Sequence, residues 1–266
     1  MHTRPNLAQK GFDRMTIRLR LAAAATLLLL GVPGALAAES FTGAQKKEIG
    51  EIVRQYLLDN PDVLLEVGQA LDARQKQAEA EQRAAALQAS AGQLYRSPHD
   101  HVAGNPQGDV TIVEFFDYNC GWCKKSFAEV VSLMDQDKNL RLVLKEFPIF
   151  GGDSDYAAMA AIAARKQGKY WELHSALFSH EGKVTAEAVD ELAKQVGLDL
   201  DKLKADMKLP EVAQIIADNH ALAQSLAISG TPAFVIDDKV SPGYLPADGL
   251  AAITAEIRAG GGCKLC

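Results

Sequence analysis

The stretch that decides the fold is Val110-Thr-Ile-Val-Glu-Phe-Phe-Asp-Tyr-Asn-Cys-Gly-Trp-Cys123. Its first seven residues are β-branched or aromatic apart from one glutamate, a composition that is typical of a buried strand. A helix is expected to begin near Cys120 and to continue to about Gln136. Unpaired N–H groups and the positive end of the helix dipole would then face Cys120, which favours its thiolate form.

The segments that follow indicate an α/β fold. Residues 140–147 predict a second strand, and a strand–helix–strand unit of this kind predicts a parallel strand pair. The alanine-rich chain over residues 153–226 predicts helices throughout. Residues 233–236 then predict a short strand, residues 240–244 an edge strand and residues 246–258 a closing helix.

The four cysteines form two Cys-x-x-Cys pairs, and the first pair lies where the strand meets the helix. In this position we expect Cys120 to be the exposed, attacking nucleophile and Cys123, one turn into the helix, to be the resolving thiol. Thiol–disulfide exchange is therefore the predicted chemistry of this pair. The alternatives are an inert structural disulfide and half of a zinc site, since two such pairs can together supply four zinc ligands.

The second pair, Cys263-Lys-Leu-Cys266, follows three consecutive glycines, and we expect residues 259–266 to form a flexible tail. Three interpretations stay open: a local disulfide, a secondary redox pair that exchanges with the first pair, and a thiolate clip for Cu(I) or zinc. His99 and His101 could add ligands to such a clip. Apart from this alternative, we expect neither a metal nor an organic cofactor.

The N-terminal residues predict export. Residues 1–37 combine basic residues, a short apolar block and the small-residue pattern Ala35-Leu-Ala37, which together are typical of a secretory signal peptide. We therefore expect a soluble protein of the periplasm, an oxidising compartment in which disulfides persist. The chain has 266 residues, 48% of them hydrophobic, and a net charge of −6, which argues against a disordered chain and against nucleic acid as a partner.

Residues 38–95 predict two helices in front of the first strand. Thr42 and Gln45 have the spacing of a capping box. An apolar stripe follows on one face of the first helix: Ile49, Ile52, Val53, Tyr56 and Leu57. Because two such helices cannot bury this stripe alone, we expect a homo-oligomer formed through residues 40–91, the alternative being a helical cap on the next domain. Residues 95–107 predict a linker.

Two segments resemble a known family. Glu114-Phe-Phe-Asp-Tyr-Asn-Cys-Gly-Trp-Cys-Lys-Lys-Ser126 resembles the active-site segment of DsbA-type thiol–disulfide oxidoreductases, and Gly230-Thr-Pro-Ala233 resembles their cis-proline loop. The resemblance implies a thioredoxin-like domain over residues 96–258, with a helical insertion at about residues 151–228. The two-helix extension makes the chain look most like the copper-sensitivity suppressor C subfamily.

The resemblance also implies roles for residues around the first cysteine pair. Glu114 would be a buried acid that carries the proton of the resolving thiol. Pro232 would follow a cis peptide bond and face the cysteines. Thr231, Gly121 and Trp122 would contact the substrate.

These observations together predict a periplasmic thiol–disulfide oxidoreductase that acts on unfolded or misoxidised exported proteins and exchanges electrons with a membrane thiol–disulfide partner. By the resemblance to this family, Thr231 and the absence of a histidine between the cysteines imply a disulfide isomerase or reductase, and the helical extension favours the same function. The alternatives are a dithiol oxidase of the DsbA type and, in a different class, a copper- or zinc-binding protein that uses Cys263 and Cys266.

Overall fold

The computed structural model describes residues 41–266, so the predicted signal peptide over residues 1–37 lies outside the described residues. The described chain divides into two units after Leu64. The first unit contains helix α1 (Gly43–Asp59). Its capping box is present, because the Gln45 N–H donates to the Thr42 hydroxyl while the Gln45 side chain accepts from the Thr42 N–H. The prediction of a capped helix at this position is therefore confirmed.

The second unit is built on a five-stranded sheet with the strand order β1-β3-β2-β4-β5. The strands are β1 (His101–Gly104), β2 (Val110–Phe116), β3 (Leu140–Glu146), β4 (Ala233–Ile236) and β5 (Lys239–Pro242). β2 lies at the centre and is buried along its whole length. It pairs in parallel with β3 and antiparallel with β4, so the predicted parallel pair is confirmed.

Helices cover both faces of this sheet. They are α2 (Asp62–Tyr95), α3 (Gly121–Gln136), α4 (Gly152–Ala164), α5 (Tyr170–Ser179), α6 (Ala186–Gln195), α7 (Leu200–Met207), α8 (Pro210–Ser225) and α9 (Ala247–Ala259). The five helices α4 to α8 stand between β3 and β4, as the alanine-rich sequence predicts. No helix within residues 41–266 is long and apolar enough to cross a membrane.

The alternation of side chains along β2 directs them into two apolar clusters, one on each face of the sheet. Ile112 and Phe116 contribute to one cluster, together with residues of α3, α9 and the inserted helices. Val113 and Phe115 contribute to the other, together with residues of α8 and the C-terminal end of α2. Glu114 has the same parity as Ile112 and Phe116, so its carboxyl is directed to the side of the sheet that α3 covers.

The expectation of a plain linker over residues 95–107 is wrong, because β1 lies within it. β1 pairs antiparallel with β3, with His101 opposite Leu144. The His101 ring stacks on Tyr170 at 4.4 Å between centroids, so this histidine is not a free surface ligand. The four residues of β1 are too short a segment to give a strand signal in the sequence. They form a strand because they pair with β3.

α2 ends at Tyr95, four residues beyond the segment 40–91 that is expected to form the homo-oligomer. Leu87, Ala91, Leu94 and Tyr95 are buried in the second cluster of their own chain. The C-terminal end of the predicted oligomerisation segment, residues 40–91, therefore packs against its own chain and is not exposed for contact with another copy. The exposed apolar side chains of this region lie further toward the N-terminus and include Ile52, Tyr56, Leu64, Val67 and Leu71.

The structure also differs from the expectation of a flexible tail over residues 259–266. Cys263 and Cys266 are joined by a disulfide bond. The N–H groups of Lys264 and Leu265 both donate to one carboxylate oxygen of Asp237, each at 2.8 Å. The tail is therefore held against the turn between β4 and β5, which the three glycines before it do not reveal.

A buried ion pair connects the segment before β1 to the sheet. Lys145 Nζ on β3 lies 2.5 Å from the Asp100 carboxylate, and the two side chains are only 2% and 3% exposed. Lys145 also donates to the backbone carbonyl of Gln93 in α2. Burial raises the pKa of Asp100 and lowers that of Lys145, in each case against the opposing effect of the partner's charge. The two charges are therefore tolerated only because they face each other.

We expect Asp100→Ala to reduce the free energy of unfolding by about 3–5 kcal/mol, because the substitution leaves Lys145 as a buried charge without its partner. Urea denaturation of the full chain measures this loss. The matched control is Asp135→Ala, whose partner Lys138 is bound at 3.1 Å with both side chains about three-quarters exposed. That variant should lose less than about 1 kcal/mol. An equally small loss at Asp100 would contradict the stabilising role of the buried pair.

Candidate active site

The carboxylate of Asp117 organises the loop that leads from β2 to the first cysteine pair. One oxygen accepts hydrogen bonds from the Asn119 N–H at 2.7 Å and the Ser154 hydroxyl at 2.8 Å. The other accepts from the N–H groups of Ile149 and Phe150 at 2.7 and 3.2 Å. Asp117 thus ties the end of β2 to the loop after β3 and to the first turn of α4. Asp117 was not among the predicted site residues, although an acid directly after a buried strand was a usable signal.

Cys120 is the N-cap of α3, and its sulfur accepts a hydrogen bond from the Cys123 N–H at 3.2 Å. Its own N–H donates to the Asp117 carbonyl at 3.1 Å, which joins the cysteine to the preceding loop. The predicted position of the pair at a strand–helix junction is therefore confirmed. The expected exposure of Cys120 is wrong, since its side chain is 4% exposed. The Thr231 carbonyl lies 3.4 Å from the Cys120 sulfur.

The two cysteines have opposite acidities. Hydrogen bonding from the Cys123 side chain lowers the pKa of Cys120 to about 6, and backbone N–H groups at the start of α3 act in the same direction. Burial raises the pKa of Cys123, and its hydrogen bond to Cys120 raises it further. At neutral pH the pair therefore holds one thiolate, at Cys120, and one protonated thiol, at Cys123.

The loop before β4 lies against the pair. The Thr231–Pro232 peptide bond is cis, as the resemblance implies. The Pro232 carbonyl accepts a hydrogen bond from the Gly243 N–H at 2.9 Å, which fixes the loop to the end of β5. The Thr231 hydroxyl is buried and has no hydrogen-bond partner among the described residues. It is therefore free to donate a hydrogen bond to the Cys120 thiolate.

Glu114 lies in the middle of β2, between Leu144 of β3 and Phe234 of β4, and is 5% exposed. Burial raises the pKa of its carboxyl to about 8, and the negative charge of Cys120 adds to this effect. The nearby Ser126 hydroxyl opposes the shift. A buried acid in electrostatic range of the cysteine pair matches the predicted position of a proton carrier.

The surface beside the pair is aromatic and apolar. Trp122 is 59% exposed, and its ring lies 5.4 Å from the ring of Tyr244. Lys125 Nζ lies over both rings, 4.6 Å from the Tyr244 centroid and 5.5 Å from that of Trp122. Ile149 and Phe150, which hydrogen-bond to Asp117, are also exposed. A side chain at Gly121 would contact nothing within 4 Å, so this position is open to an approaching chain.

The structure does not bring Cys263 and Cys266 to this site. The Cys266 sulfur lies 4.0 Å from the carbonyl of Thr111, near the start of β2, whereas Cys120 follows the other end of that strand. Within residues 41–266 there is no cluster of three or more histidine, cysteine, aspartate or glutamate side chains that could hold a metal ion. His99 and His101 likewise stand apart from the tail cysteines.

Comparisons with known proteins agree with this geometry. Residues 111–255 match the family model of the DSBA-like thioredoxin domain, and residues 45–78 match the N-terminal domain of the copper resistance protein ScsC. A thioredoxin-like oxidoreductase from Silicibacter pomeroyi is 48% identical, with a TM-score of 0.62, over 63% of this chain and 97% of its own. A linker-deletion and N6K mutant of Proteus mirabilis ScsC is 25% identical, with a TM-score of 0.64, over 85% of this chain and 100% of its own.

Curated relatives extend well beyond the matched region. The Na(+)/H(+) antiporter NhaA 1 of Salinispora arenicola is 31% identical over 163 residues, which are 60% of this chain and 25% of the antiporter. The chain thus spans about a quarter of the length of the curated relatives it matches. The family model covers more than half of the chain and includes the first cysteine pair, Glu114 and Pro232. The chain belongs to the family of the DSBA-like thioredoxin domain.

Proposed function

We propose that this protein catalyses thiol–disulfide exchange with exported proteins through Cys120 and Cys123, working as a disulfide isomerase or reductase. The observation that carries the proposal is the contrast between a Cys120 pKa of about 6 and a Cys123 pKa that burial raises. A thiolate at the helix N-terminus can attack a substrate disulfide, while the buried thiol stays protonated until it resolves the mixed disulfide.

The exchange proceeds through a mixed disulfide. The Cys120 thiolate attacks one sulfur of a substrate disulfide, and the other substrate sulfur leaves as a thiolate that takes up a proton. In isomerisation, a second substrate thiolate attacks the mixed disulfide and Cys120 leaves with its electron pair. In reduction, Cys123 loses its proton and attacks Cys120, which releases the reduced substrate and leaves a Cys120–Cys123 disulfide.

The absence of a histidine between the two cysteines favours the isomerase direction over the oxidase direction. A stabilised thiolate makes the reduced form more stable and the disulfide more oxidising. The Cys120 pKa of about 6 lies between the values of about 3.5 and 7 known for a strong oxidase and for thioredoxin. No histidine stands between the cysteines to stabilise the thiolate further. The runner-up is a dithiol oxidase of the DsbA type.

The substrates proposed for this site are unfolded or misoxidised exported proteins. The exposed rim of Trp122, Ile149 and Phe150 suits the apolar segments that such chains display. Thr231 lies beside the Cys120 sulfur, where an extended segment of substrate would pass. A membrane thiol–disulfide protein of the periplasm would restore the reduced pair after each reduction. No cofactor is required by this chemistry.

The first test is the recovery of a test protein that carries scrambled disulfides. We expect the reduced full chain to restore the native activity of this protein much faster than a small thiol, because Cys120 is a thiolate at neutral pH. Cys120→Ser should abolish the effect, and the tail variant C263S/C266S should retain it. Fast oxidation of a dithiol peptide without recovery of scrambled substrate would instead support the oxidase.

The proton of Cys123 needs an acceptor when this thiol attacks, and we propose that Glu114 accepts it. Its carboxyl has a pKa of about 8, close to the working pH, so a minor fraction is ionised at pH 7 and this form can accept the proton. The ionised carboxyl takes up the proton of Cys123 when the pair becomes a disulfide, and returns it to Cys123 when the pair is reduced again. Because the group is buried in the central strand, water cannot easily replace it.

Glu114→Gln is expected to slow the resolution of a mixed disulfide at pH 7 about tenfold or more, while alkylation of Cys120 changes little. The variant should also change the pH dependence of stability. In the folded wild type the carboxyl keeps its proton up to a pKa of about 8, whereas unfolded glutamate ionises near 4.5. The stability of the wild type relative to the variant should therefore fall as the pH rises from about 4.5 to 8 and stay constant above it.

Rapid mixing followed by a chemical quench measures the rate at which the mixed disulfide is resolved. Urea denaturation at several pH values measures the pH dependence of stability. A constant stability difference between pH 4.5 and 8, together with unchanged resolution, would remove Glu114 from the mechanism.

We also propose that the exposed helices assemble copies of the chain. α1, which is described in full, contains no buried residue, yet it carries Ile49, Ile52, Val53 and Tyr56 on one side. The match of residues 45–78 to the ScsC N-terminal domain covers this stripe. An assembly would place several Cys120 thiolates around one scrambled substrate, which raises their effective concentration.

The variant I52D/Y56D is expected to convert the assembly into a monomer, because two carboxylates would have to be buried in the shared apolar surface. Light scattering measures the mass, and the scrambled-substrate assay should lose activity while dithiol oxidation by the disulfide form persists. The control Arg54→Asp adds a carboxylate about half a turn away from the stripe and should leave the mass unchanged. A monomeric wild type would exclude this assembly.

The copper- or zinc-binding function stays a separate prediction. The Cys263–Cys266 pair supplies two sulfur ligands only after its disulfide is reduced. Titration of the reduced chain with Cu(I) or zinc, with C263S/C266S as the comparison, distinguishes this class from the exchange enzyme.

A further inference from the structure

The tail disulfide closes a short loop around a buried carboxylate. The Lys264 and Leu265 N–H groups, which lie inside the loop, both donate to Asp237 Oδ1 at 2.8 Å. The Cys263 sulfur lies 3.5 Å from the same oxygen. Asp237 itself is 3% exposed and has a positive φ of 53° in the turn between β4 and β5. The disulfide thus holds two backbone donors in the position that satisfies this carboxylate.

The same loop also contacts the end of α2. The Leu265 carbonyl accepts a hydrogen bond from the Arg96 guanidinium at 2.9 Å. The Leu265 side chain packs on the second apolar cluster, which includes Leu94 and Tyr95. The Tyr95 hydroxyl donates to the Asp237 carbonyl at 2.6 Å. The tail, the β4–β5 turn and the last turn of α2 are therefore joined at one place.

The tail disulfide is accessible to other molecules but is far from the cysteine pair of its own chain. Cys266 is exposed and Cys263 is half-buried. Cys266 lies beside Thr111, whereas Cys120 lies beyond Phe116 at the other end of β2. The five residue steps between Thr111 and Phe116 span about 16 Å of extended strand. A thiol that reduces the tail must therefore come from another molecule.

We propose that Cys263–Cys266 is a second redox site, reduced by an external dithiol, and that its oxidation state controls how firmly the last turn of α2 is held. In the oxidised form the closed loop anchors α2 through Arg96 and Leu265 and satisfies Asp237. In the reduced form the loop opens, and the three preceding glycines let the tail leave the turn. The proposal does not depend on the chemistry of Cys120.

Reduction of this site follows ordinary exchange. A thiolate of the dithiol attacks the sulfur of Cys266, the more exposed residue of the pair, the Cys263–Cys266 bond breaks, and the Cys263 sulfur leaves with the electron pair and takes up a proton. The second thiol of the reductant is then deprotonated and attacks the reductant's first sulfur, which is bonded to Cys266 in the mixed disulfide. Cys266 leaves as a thiolate, which is then protonated. The dithiol becomes a disulfide and the protein gains two thiols.

Release of the tail should loosen the turn of α2 that it holds. The closed loop restricts the conformations of Lys264 and Leu265, and this restriction disappears when the bond breaks. Gly261 and Gly262 have φ values of 99° and 94°, in the region that glycine enters freely. Their backbone can therefore change conformation at little cost when the tail leaves the turn. After reduction, the tail that carries Leu265 is mobile, so its hydrogen bond with Arg96 is weakened.

The test uses the full chain with C120S/C123S, so that the tail is the sole redox site under study, and follows amide hydrogen exchange by mass spectrometry. Dithiothreitol should reduce the tail and accelerate exchange about tenfold in residues 92–96 and 237–239. Exchange in α3 should not change, which shows that the fold persists. C263S/C266S should reproduce the reduced form without any reductant.

Two single variants test whether the contact between the tail and the end of α2, and not the disulfide alone, slows exchange in residues 92–96. Arg96→Ala, which keeps the disulfide, should accelerate exchange in residues 92–96 to an intermediate degree. Arg74→Ala, an exposed position on the same helix, should have no effect there. The proposal is overturned if exchange in residues 92–96 is the same for the oxidised and reduced tail, or if the dithiol leaves the tail disulfide intact.

Discussion

The site depends on one buried carboxylate, that of Asp117, which receives hydrogen bonds from four donors. These donors come from the loop before Cys120, the loop after β3 and the start of α4. A buried carboxylate is stable only when its oxygens are satisfied in this way, so the three segments cannot separate without a large loss of free energy. The position of the first cysteine, the exposed Ile149–Phe150 rim and the inserted helices are thereby fixed relative to one another.

Burial then gives three acidic groups different properties within a small volume. The helix N-terminus and the neighbouring thiol favour the charged form of Cys120, while desolvation favours the neutral forms of Cys123 and Glu114. An acid in the middle of a central strand weakens the core, so its presence there is more readily explained by chemistry than by stability. The sheet therefore serves as the low-dielectric surroundings that separate the acidities of these groups.

Local signals were enough to predict the strand β2, the helix that begins after Cys120, the parallel partner strand and the capping box at Thr42. These features depend on residues that are close in the sequence. The order of residues 101–104, the burial of Cys120 beside Thr231 and the docking of the tail could not be predicted, because their partners are distant. Arg96 and Leu265, for example, are 169 positions apart. Asp117 lies between these cases, since its position after the strand is local but its partners Ile149 and Ser154 are not.

The length of α2 has a mechanical consequence. Its buried residues begin at Leu87, whereas residues 65–85 of the same helix are exposed throughout. At a rise of about 1.5 Å per residue, this exposed part measures about 31 Å. A rotation of a straight helix by roughly 10° about its buried residues would carry the far end of the exposed part through about 5 Å. A small change in the packing of Leu87, Ala91, Leu94 and Tyr95 would thus be magnified along the exposed part of α2.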